Sequence, residues 1–597
     1  MNYRKAALAV LVSTACASAL AAPPRIDLSS LDSASSTSRF IVKYRSGSAE
    51  RIQPVARQRA LEAATTRAAS KMAAGPAARS GALRVSTLRA AQGGRHVITA
   101  SRSLDRSQAE ALMREIAADP NVESIAVDAM NHPAALPNDP LLATHQMWHY
   151  GAGKGGAYVT QAWDAGATGA GVVVAVLDSG VTPHADLIGN LLPGYDFITD
   201  TFVSRRTTND RAPGAWDLGD WKEEDGECGP DSFASNSSWH GTHVAGTIAE
   251  VTNNGKDGAG VAPQAKILPV RVLGRCGGYV SDISDAIVWA AGGHVDGVAD
   301  NAIPAEVINL SLGAVGLCPA IYQDAINQAV SLGATVVVAA GNANIDAANF
   351  NPANCANVVA VAATGYSGTR ASYSDYGTTV DLSAPGGGGA EGTPNGFIWS
   401  TFNSGARQPV ASPDGDIFQG YTGTSMAAPH VAGTVALIQS VAPTPLTPAQ
   451  VESILVASAR PFPTPPPAAR PIGSGILNAA VAVDLARKFG QPISASPLSS
   501  GIAERVAPIA AGQSVLYSID VPAGKRRLDL LTYGGQGTVT LLAQLEVEPT
   551  PSMYRGRSAR PGTNQAITIT APQSGRYYVK VTATADSAGM TIRALVQ

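Results

Sequence analysis

Short runs of aliphatic and β-branched residues recur along the middle of the chain, and stretches with helical spacing separate them. The apolar runs lie at 172–177, 267–273, 307–312, 335–340 and 358–363, and the helical stretches include 320–332, 426–441 and 475–488. Strands that are apolar on both faces and alternate with helices are typical of a parallel sheet covered on both sides. The pattern therefore predicts a doubly wound α/β domain, built on a mostly parallel sheet, over residues 136–490.

The region before this domain has a different pattern. Strand-like runs at 39–44 and 122–127 enclose helical stretches at 51–73 and 107–118. Ser107, followed three residues later by Glu110, has the form of a capping box at the start of the second helix. Prolines then interrupt the regular spacing. We expect a small α+β domain over residues 22–135 that ends in an extended linker.

The last hundred residues show the period-two alternation of half-buried strands. The alternating runs lie at 515–519, 538–542, 566–569 and 577–581, with glycine-rich turns between them. This pattern predicts a β-sandwich over residues 494–597.

Residues 1–21 have the layout of a secretory signal peptide. Arg4 and Lys5 precede a short apolar run at 6–15, and small residues at 19–21 offer a cleavage site. The run is too short to span a bilayer, although an N-terminal anchor remains the alternative reading. No later stretch reaches 18 unbroken apolar residues, so we expect a secreted, extracellular protein without a membrane span.

Composition narrows the possible functions further. The chain has 597 residues, of which 45% are hydrophobic and 15% charged, as in a globular protein of several domains. Its net charge of −3 argues against nucleic-acid binding. Residues 22–135 carry 16 Lys+Arg against 10 Asp+Glu, whereas residues 136–493 carry 15 against 30. Opposite charge suggests that these two parts attract each other.

Four cysteines remain in the exported part of the chain, and none of them forms a C-x-x-C pair. An even number in an oxidising compartment indicates two disulfides, for which three connectivities are possible. We favour Cys228 with Cys276 and Cys318 with Cys355. In the first pair, Cys228 lies just before the predicted helix that starts at His240, and Cys276 lies just after the predicted strand 267–273. The second pair joins the segments on either side of the strand 335–340.

Candidate chemistry lies where strands end and helices begin. Asp178 follows the apolar run 172–177, His240 opens a helix of small residues, and Ser425 follows a glycine turn into another helix. Singly, these are ambiguous: a turn cap, a structural or metal-binding histidine, and a helix N-cap. Together, the order Asp, His, Ser is one of the known orders of a serine triad, in which a hydroxyl attacks, an imidazole takes its proton and a carboxylate orients the imidazole.

Five sequence motifs then carry a resemblance to the subtilisin-like serine proteases, or subtilases. They are Val-Leu-Asp-Ser-Gly at 176–180, His-Gly-Thr-His-Val-Ala-Gly-Thr at 240–247, Ser-Leu-Gly at 311–313, Ala-Gly-Asn at 340–342, and the stretch 423–433. The resemblance covers 136–490 and implies a serine endopeptidase that cleaves proteins through an acyl-enzyme. It makes Asp178 the orienting acid, His240 the general base, Ser425 the nucleophile and Asn342 an oxyanion donor.

The same resemblance assigns the substrate-binding positions. Ser311, Leu312 and Gly313 match one wall of the primary specificity pocket, and Gly277 and Gly278 match the strand that pairs with substrate. It leaves open which side chain floors the pocket, for which Phe350 is a candidate. His243 and His430 match structural positions.

The resemblance to the subtilases also extends to the regions that flank the α/β domain. Residues 22–135 look like the family's inhibitory prodomain. This region would then be an intramolecular inhibitor of a monomeric enzyme. Residues 494–597 are similar to bacterial pre-peptidase C-terminal domains, and the alternative is a generic β module.

The loop 252–260 resembles the family's calcium loop, which implies Ca²⁺ bound by Asp139, Asp186 and Asn254. The alternative is a turn beside two surface carboxylates. The polar insertion 198–237 is expected to be a solvated loop or a second calcium site.

The sequence argues against two other classes of function. A serine hydrolase of the α/β-hydrolase type would have Gly-x-Ser-x-Gly and the order Ser, Asp, His, whereas this chain has Gly-Thr-Ser-Met-Ala and the order Asp, His, Ser. A secreted binding protein with an inactive protease fold would be expected to lose a member of the triad, but all four catalytic positions are filled. A serine-directed probe would distinguish these alternatives.

Overall fold

The computed structural model describes residues 24–28, 37–72, 83–128, 136–489, 493–550, 554–572 and 574–597. The chain divides into two compact units, Met1–Ala134 and Ala135–Gln597. The predicted signal peptide and most of the predicted linker lie outside the described residues. Within the described part of the chain, no helix has the length and hydrophobicity needed to cross a membrane.

The first unit is a five-stranded sheet with helices packed against it. Its elements are β1 (Arg25–Asp27), β2 (Thr37–Tyr44), α1 (Ala49–Ile52), α2 (Pro54–Met72), β3 (Val85–Ala91), β4 (Arg95–Leu104), α3 (Arg106–Ala117) and β5 (Val122–Val127). The strand order is β1-β5-β2-β4-β3, so the α+β prediction holds, although only β2 and β5 were expected as strands. Phe40, Leu112 and Ile125 lie in the core between the sheet and the helices.

The capping box predicted at Ser107 is wrong. Helix α3 begins at Arg106, and the carboxylate of Asp105 caps it by accepting a hydrogen bond from the backbone N–H of Gln108 at 2.9 Å. Glu110 instead pairs with Arg114, one turn further along the helix. Asp105, two positions before Ser107, offers an equally good cap, so the local pattern alone did not fix the start of the helix.

The second unit contains the predicted α/β domain. The main-sheet strands are β6 (Val173–Asp178), β7 (Tyr195–Asp196), β8 (Ala212–Pro213), β9 (Lys266–Arg271), β10 (Val307–Leu310), β12 (Thr335–Ala339), β14 (Val359–Thr364) and β15 (Leu382–Pro385). Two ribbons lie beside them, β11 (Ala314–Val315) with β13 (Phe350–Asn351), and β16 (Ile398–Asn403) with β17 (Asp416–Tyr421).

The helices of this domain are α4 (Met147–Tyr150), α5 (Val159–Asp164), α6 (Thr201–Ser204), α7 (His240–Ala249), α8 (Val280–Ala290), α9 (Ala320–Ser331), α10 (Thr424–Val441), α11 (Pro448–Ser458) and α12 (Ala479–Lys488). The main sheet has the order β15-β14-β12-β10-β6-β9-β7-β8, and every pairing except β7 with β8 is parallel. A doubly wound, mostly parallel sheet is therefore confirmed.

Both faces of the sheet are buried, which explains the unbroken apolar runs in the sequence. Along β6, Val174 and Val176 join the core that includes α10, whereas Ala175 and Leu177 join the core under α8 and α9. Because the strands run in parallel, their carboxyl ends lie along one edge, where sheets of this type place their ligands.

The C-terminal region is the predicted β-sandwich. Its strands are β18 (Ser496–Pro497), β19 (Ala503–Arg505), β20 (Ser514–Val521), β21 (Arg527–Tyr533), β22 (Gln536–Leu545), β23 (Gly556–Ser558), β24 (Gln565–Thr570), β25 (Gly575–Ala588) and β26 (Thr591–Val596). They form two sheets, β18-β20-β25-β22-β23 and β19-β26-β21-β24, around a shared apolar core. The sandwich belongs to the second unit, and Val547 joins the core of the α/β domain.

Candidate active site

Asp178 and His240 meet at the carboxyl edge of the main sheet. Asp178 is the last residue of β6, and His240 is the first residue of α7. The imidazole Nδ1 lies 2.8 and 3.0 Å from the two carboxylate oxygens of Asp178. Asp178 is fully buried, whereas the side chain of His240 keeps 23% of its surface exposed. The pair therefore presents an imidazole to solvent with a buried carboxylate behind it.

A hydrogen-bond network behind this pair fixes the turn that follows β6. The backbone N–H of Ser179 donates to Asp178 at 2.7 Å, and the hydroxyl of Ser179 donates to Asp217 at 2.7 Å. The same hydroxyl accepts from the N–H of Gly241 at 3.0 Å, which ties the turn to the first turn of α7. Asp217 also accepts from Gly219 at 2.8 Å. Asp217 thus positions the residues next to Asp178 and His240.

Asp217 lies in the polar insertion but is not solvated. We expected the insertion 198–237 to be a solvated loop or a calcium site, but Asp217 is 2% exposed and hydrogen-bonded into the sheet edge. Burial raises the pKa of this carboxyl to about 7. Nothing in the local sequence distinguishes Asp217 from the other acidic residues of the insertion. Its hydrogen-bond partner Ser179 lies 38 residues earlier in the chain.

A buried arginine supports the same edge from the neighbouring strand. Arg271 of β9 stands opposite Asp178 in the sheet register and is fully buried. It donates to the carbonyl oxygen of Ser179 at 3.1 Å and to Asp196 at 2.8 Å. A buried guanidinium is tolerated because a carboxylate neutralises it and a carbonyl takes a further N–H. The sequence reading did not single out Arg271 or Asp196.

The electrostatics of His240 follow from this arrangement. Burial by itself lowers the pKa of the imidazole, but attraction and hydrogen bonding by Asp178 outweigh burial, and Asp220 and Asp217 add to the attraction. The net result is a pKa raised above the ordinary 6.5 of histidine. An imidazolium that forms here would be stabilised by the carboxylates around it.

Ser425 lies in the first turn of α10, against the segment that follows β10. Its hydroxyl donates to the carbonyl oxygen of Ser311 at 3.2 Å, and the hydroxyl of Ser311 donates back to the carbonyl of Ser425 at 2.8 Å. No hydrogen bond joins Ser425 Oγ to His240 among the described residues. Such contacts often form only in a substrate complex. The structure therefore places Ser425 directly beside the predicted pocket wall.

Asn342 follows β12 and is fixed by the start of α10. Its side-chain carbonyl accepts from the backbone N–H of Thr424 at 2.8 Å and from the hydroxyl of Thr424 at 2.9 Å. The amide N–H groups therefore face away from Thr424, on an exposed side chain. The N–H of Ser425 adds a second donor, since the first turn of a helix leaves N–H groups without intrahelical acceptors.

The two predicted structural histidines are buried and neutral. His243 contacts the carbonyl oxygens of Ile398 and Gln419 at 3.1 Å each, and burial lowers its pKa to about 3. His430 contacts the carbonyl of Met426 at 2.7 Å, and burial lowers its pKa to about 4. Neither is placed to exchange protons with a substrate.

Both expected disulfides are present in the structure. Cys228 is bonded to Cys276, with 5.3 Å between the Cα atoms, and Cys318 is bonded to Cys355, with 5.2 Å. Gly277 and Gly278 follow the first bond directly, in a turn closed by hydrogen bonds between Gly274 and Gly277. Gly278 is exposed.

The three predicted calcium ligands come together. The carboxylate of Asp139 accepts backbone N–H bonds from Asn253 at 2.8 Å and Asn254 at 3.1 Å, and the side-chain amide of Asn254 contacts Asp186. The other carboxylate oxygen of Asp186 is buried and has no hydrogen-bond partner. The free oxygen of Asp186 could bind a hard cation, whereas Asn254 directs its N–H₂ group at Asp186 and would have to turn its amide oxygen toward the ion.

Glu250 adds a carboxyl that the sequence reading missed. It is fully buried one residue after α7 and lies against Asp186. Burial raises the pKa of Asp186 and, more strongly, that of Glu250, which also feels the charge of Asp186. Among the described residues, no three acidic, histidine or cysteine side chains form a metal site by themselves, so a cation here would need amide and carbonyl oxygens as well.

Comparisons with known proteins agree with this geometry. Residues 169–490 match the family model described as "Subtilase family", and residues 513–583 match the model described as "Bacterial pre-peptidase C-terminal domain". The chain is similar to an "Extracellular protease" of Xanthomonas campestris pv. campestris, at 46% identity over 100% of this chain and 99% of that protein. It is also similar to "Alkaline serine exoprotease A" of Vibrio alginolyticus, at 30% identity over 81% of this chain and 78% of that protein.

A solved structure shows the same likeness. A protease of Pseudoalteromonas arctica is 50% identical, with a TM-score of 0.56, and the match covers 59% of this chain and 100% of that chain.

The electrostatics of the site yield a first prediction. In the native protein, we expect His240 to titrate above 6.5, so that the imidazole becomes neutral only as the pH rises past that value. Asp178→Asn should lower the pKa of His240, because the largest attraction is then removed while burial remains. Histidine NMR spectra recorded across a pH series measure both values. His243 and His430 serve as internal controls that should stay neutral, and an unchanged His240 pKa in the variant would contradict the assignment.

Proposed function

Since this chain belongs to the subtilase family of extracellular serine proteases, we propose that Asp178, His240 and Ser425 form its catalytic triad. The observation that carries the proposal is the buried Asp178 carboxylate held within 3.0 Å of the His240 imidazole, on the sheet edge where α10 brings in Ser425. The alternative of an inactive protease fold has no support, because the triad positions are filled and the relatives are named as proteases.

The geometry supports the following chemistry. Ser425 Oγ attacks the carbonyl carbon of the scissile peptide, and its proton passes to His240 Nε2. Asp178 keeps the other imidazole proton on Nδ1 and stabilises the imidazolium that forms. His240 then gives its proton to the leaving amine, which departs and leaves an acyl-enzyme on Ser425. Water hydrolyses the acyl-enzyme by the same steps, with His240 again acting as the base.

Asn342 and the N–H of Ser425 stabilise the oxyanion. The peptide carbonyl oxygen becomes negatively charged in the tetrahedral intermediate, and donors fixed in advance lower the energy of that charge. Thr424 fixes the amide of Asn342 through two hydrogen bonds. The positive end of α10 acts in the same direction. Ser311, Leu312 and Gly313 form one wall of the pocket for the residue before the scissile bond, and Gly277 and Gly278 pair with the substrate backbone.

The first unit acts as an inhibitory prodomain that the enzyme removes itself. It is a separate compact unit with an excess of positive charge, whereas residues 136–493 carry an excess of negative charge. The match to the Xanthomonas campestris protein includes this region, since it covers the whole chain. All side chains of the proposed site come from residues 136–490 of one chain, which supports action as a monomer after processing.

Calcium is proposed as a structural ion of the loop after α7. Members of the family generally bind calcium. Asp139, Asp186 and Asn254 would hold the ion, with Glu250 beside them, and its charge would offset the repulsion between the buried carboxylates. The ion would join three chain segments and would take no part in the chemistry at Ser425. Binding only to the native state adds about 2.7 kcal/mol of stability at a hundredfold excess over Kd.

The oxyanion assignment predicts a selective loss of kcat. Asn342→Leu removes the donor, which acts only as the intermediate forms, so kcat should fall by about 10²–10³-fold while KM changes little. Thr424→Val removes one of the two hydrogen bonds that orient the amide, and it should cause a smaller loss in the same parameter. Steady-state kinetics on one peptide measure both. A change mainly in KM would reassign Asn342 to substrate binding.

Self-processing predicts that the nucleophile is needed for maturation. Ser425→Ala should reduce activity by several orders of magnitude, and the variant should accumulate as a precursor that retains the first unit. Ser331→Ala makes the same chemical change at the exposed end of α9 and should mature normally. Expression in a host deficient in proteases, followed by N-terminal sequencing, tests this. Normal maturation of Ser425→Ala would show that another protease performs the cut.

The calcium proposal predicts an effect on lifetime rather than on turnover. Chelation should shorten the half-life of the mature enzyme at elevated temperature, because locally opened molecules are cut by their neighbours, while the initial kcat stays nearly constant. Asp186→Asn should abolish most of the rise in melting temperature that added Ca²⁺ produces. Asp296→Asn, at a fully exposed position, is the matched control. Identical decay with and without chelator would refute the site, and an immediate loss of kcat would mean that the ion is catalytic.

A further inference from the structure

Two chain segments frame the space next to Ser425. One is Ser311–Gly313, which exchanges hydrogen bonds with Ser425, and the other is the Gly341–Asn342 turn, which Thr424 holds against α10. If Ser425 attacks a peptide carbonyl, the side chain of the residue before the scissile bond extends between these two segments. The depth of this slot therefore limits which side chains can enter.

The phenyl ring of Phe350 lies across the slot. A Cβ atom built at Gly313 would clash with ring atom Cε1 of Phe350 and would lie 2.8 Å from Cζ. A Cβ atom built at Gly341 would lie 2.9 Å from Cγ of the same ring. One aromatic ring thus reaches from one segment to the other. The side chain of Phe350 is only partly buried, so part of its surface remains open.

The main chain that carries Phe350 is firmly held. In the ribbon of β11 and β13, Phe350 stands opposite Val315, directly after the Gly313 segment. The side-chain amide of Asn351 donates to the carbonyl of Ala314 at 3.1 Å, and the N–H of Gly316 donates to the carbonyl of Asn349 at 2.7 Å. The disulfide between Cys318 and Cys355 joins the same two stretches of chain. The backbone beneath the ring therefore cannot move away easily.

We propose that Phe350 is the specificity-determining residue of this protease, closing the slot so that only a small side chain, that of glycine, alanine or serine, fits before the scissile bond. The proposal rests on the proposed function of Ser425. A hydrophobic site rejects an oversized side chain by steric exclusion, and a difference of one methylene changes kcat/KM by about 10–200-fold. A phenylalanine before the scissile bond would have to occupy the volume that the ring of Phe350 already fills.

A nearby carboxylate does not make the slot selective for basic side chains. Asp375 contacts Gly341, but it is fully buried and accepts backbone N–H bonds from Ala343 and Ile345 at 2.9 Å each. Its position holds the turn after Asn342.

The test compares peptides that differ only in the residue before the scissile bond, which is alanine, leucine, phenylalanine or lysine. For the mature enzyme, kcat/KM should be at least about 100-fold higher with alanine than with phenylalanine. Phe350→Ala should raise kcat/KM for the leucine and phenylalanine peptides at least tenfold relative to kcat/KM for the alanine peptide. Phe350→Val, a smaller disturbance of the fold, should give an intermediate shift toward leucine.

Controls separate this proposal from the function on which it rests. Phe233→Ala makes the same change at a side chain that is 70% exposed and should leave the preference unchanged. Labelling of Ser425 by a fluorophosphonate reports the nucleophile independently of the peptide used. A wild-type enzyme that is labelled but prefers phenylalanine or lysine overturns the role of Phe350, as does an unchanged preference in both Phe350 variants. An enzyme that is not labelled overturns the proposed function itself.

Discussion

The buried carboxylate of Asp178 is the constraint on which the rest of the site depends. A charge at the end of a central strand is costly unless hydrogen-bond donors surround it, and here the donors are the N–H of Ser179 and the imidazole of His240. Each donor must in turn be fixed. The hydroxyl of Ser179 links Asp217 to the first turn of α7, so the position of the helix that carries His240 follows from the need to satisfy one carboxylate.

Helix α7 also connects the chemistry to the proposed ion site. His240 opens the helix, and Glu250 follows its last residue, so about 15 Å of helix separates the imidazole from the buried carboxyls. The carbonyl of Asp186 accepts a hydrogen bond from the N–H of Val251 at 2.8 Å, directly beyond the helix. Helix α7 thus keeps the buried carboxyls beside Glu250 apart from the imidazole of His240, where the proposed proton transfer takes place. The two ends can therefore be tested independently.

The sequence predicted those parts of the structure in which local pattern and final environment agree. The main-sheet strands are buried on both faces, so each is a continuous apolar run, and Asp178 stands out because a charge ends such a run. The front unit was predicted less completely. Strands β3 and β4 were missed because small and polar residues interrupt their apolar positions: β3 carries Arg89, and β4 has Arg95 and Arg102 at either end of a short apolar run. The roles of Asp217, Arg271 and Glu250 depend on residues far away in the chain, so no local motif could reveal them. Phe350 was visible as a candidate, but its reach from Gly313 to Gly341 is a fact of tertiary structure.

The order of the strands has a consequence for the timing of activity during export. Strand β6 is central in the sheet and comes early in the chain, whereas α10 follows every strand of the main sheet. A chain that has emerged only as far as β15 therefore contains the proposed acid and base, Asp178 and His240, but lacks the proposed nucleophile Ser425. If Ser425 is the nucleophile, a partly exported chain cannot cut peptide bonds by this mechanism. Protease activity can then appear only after α10 has emerged, when nearly the whole α/β domain is available to fold.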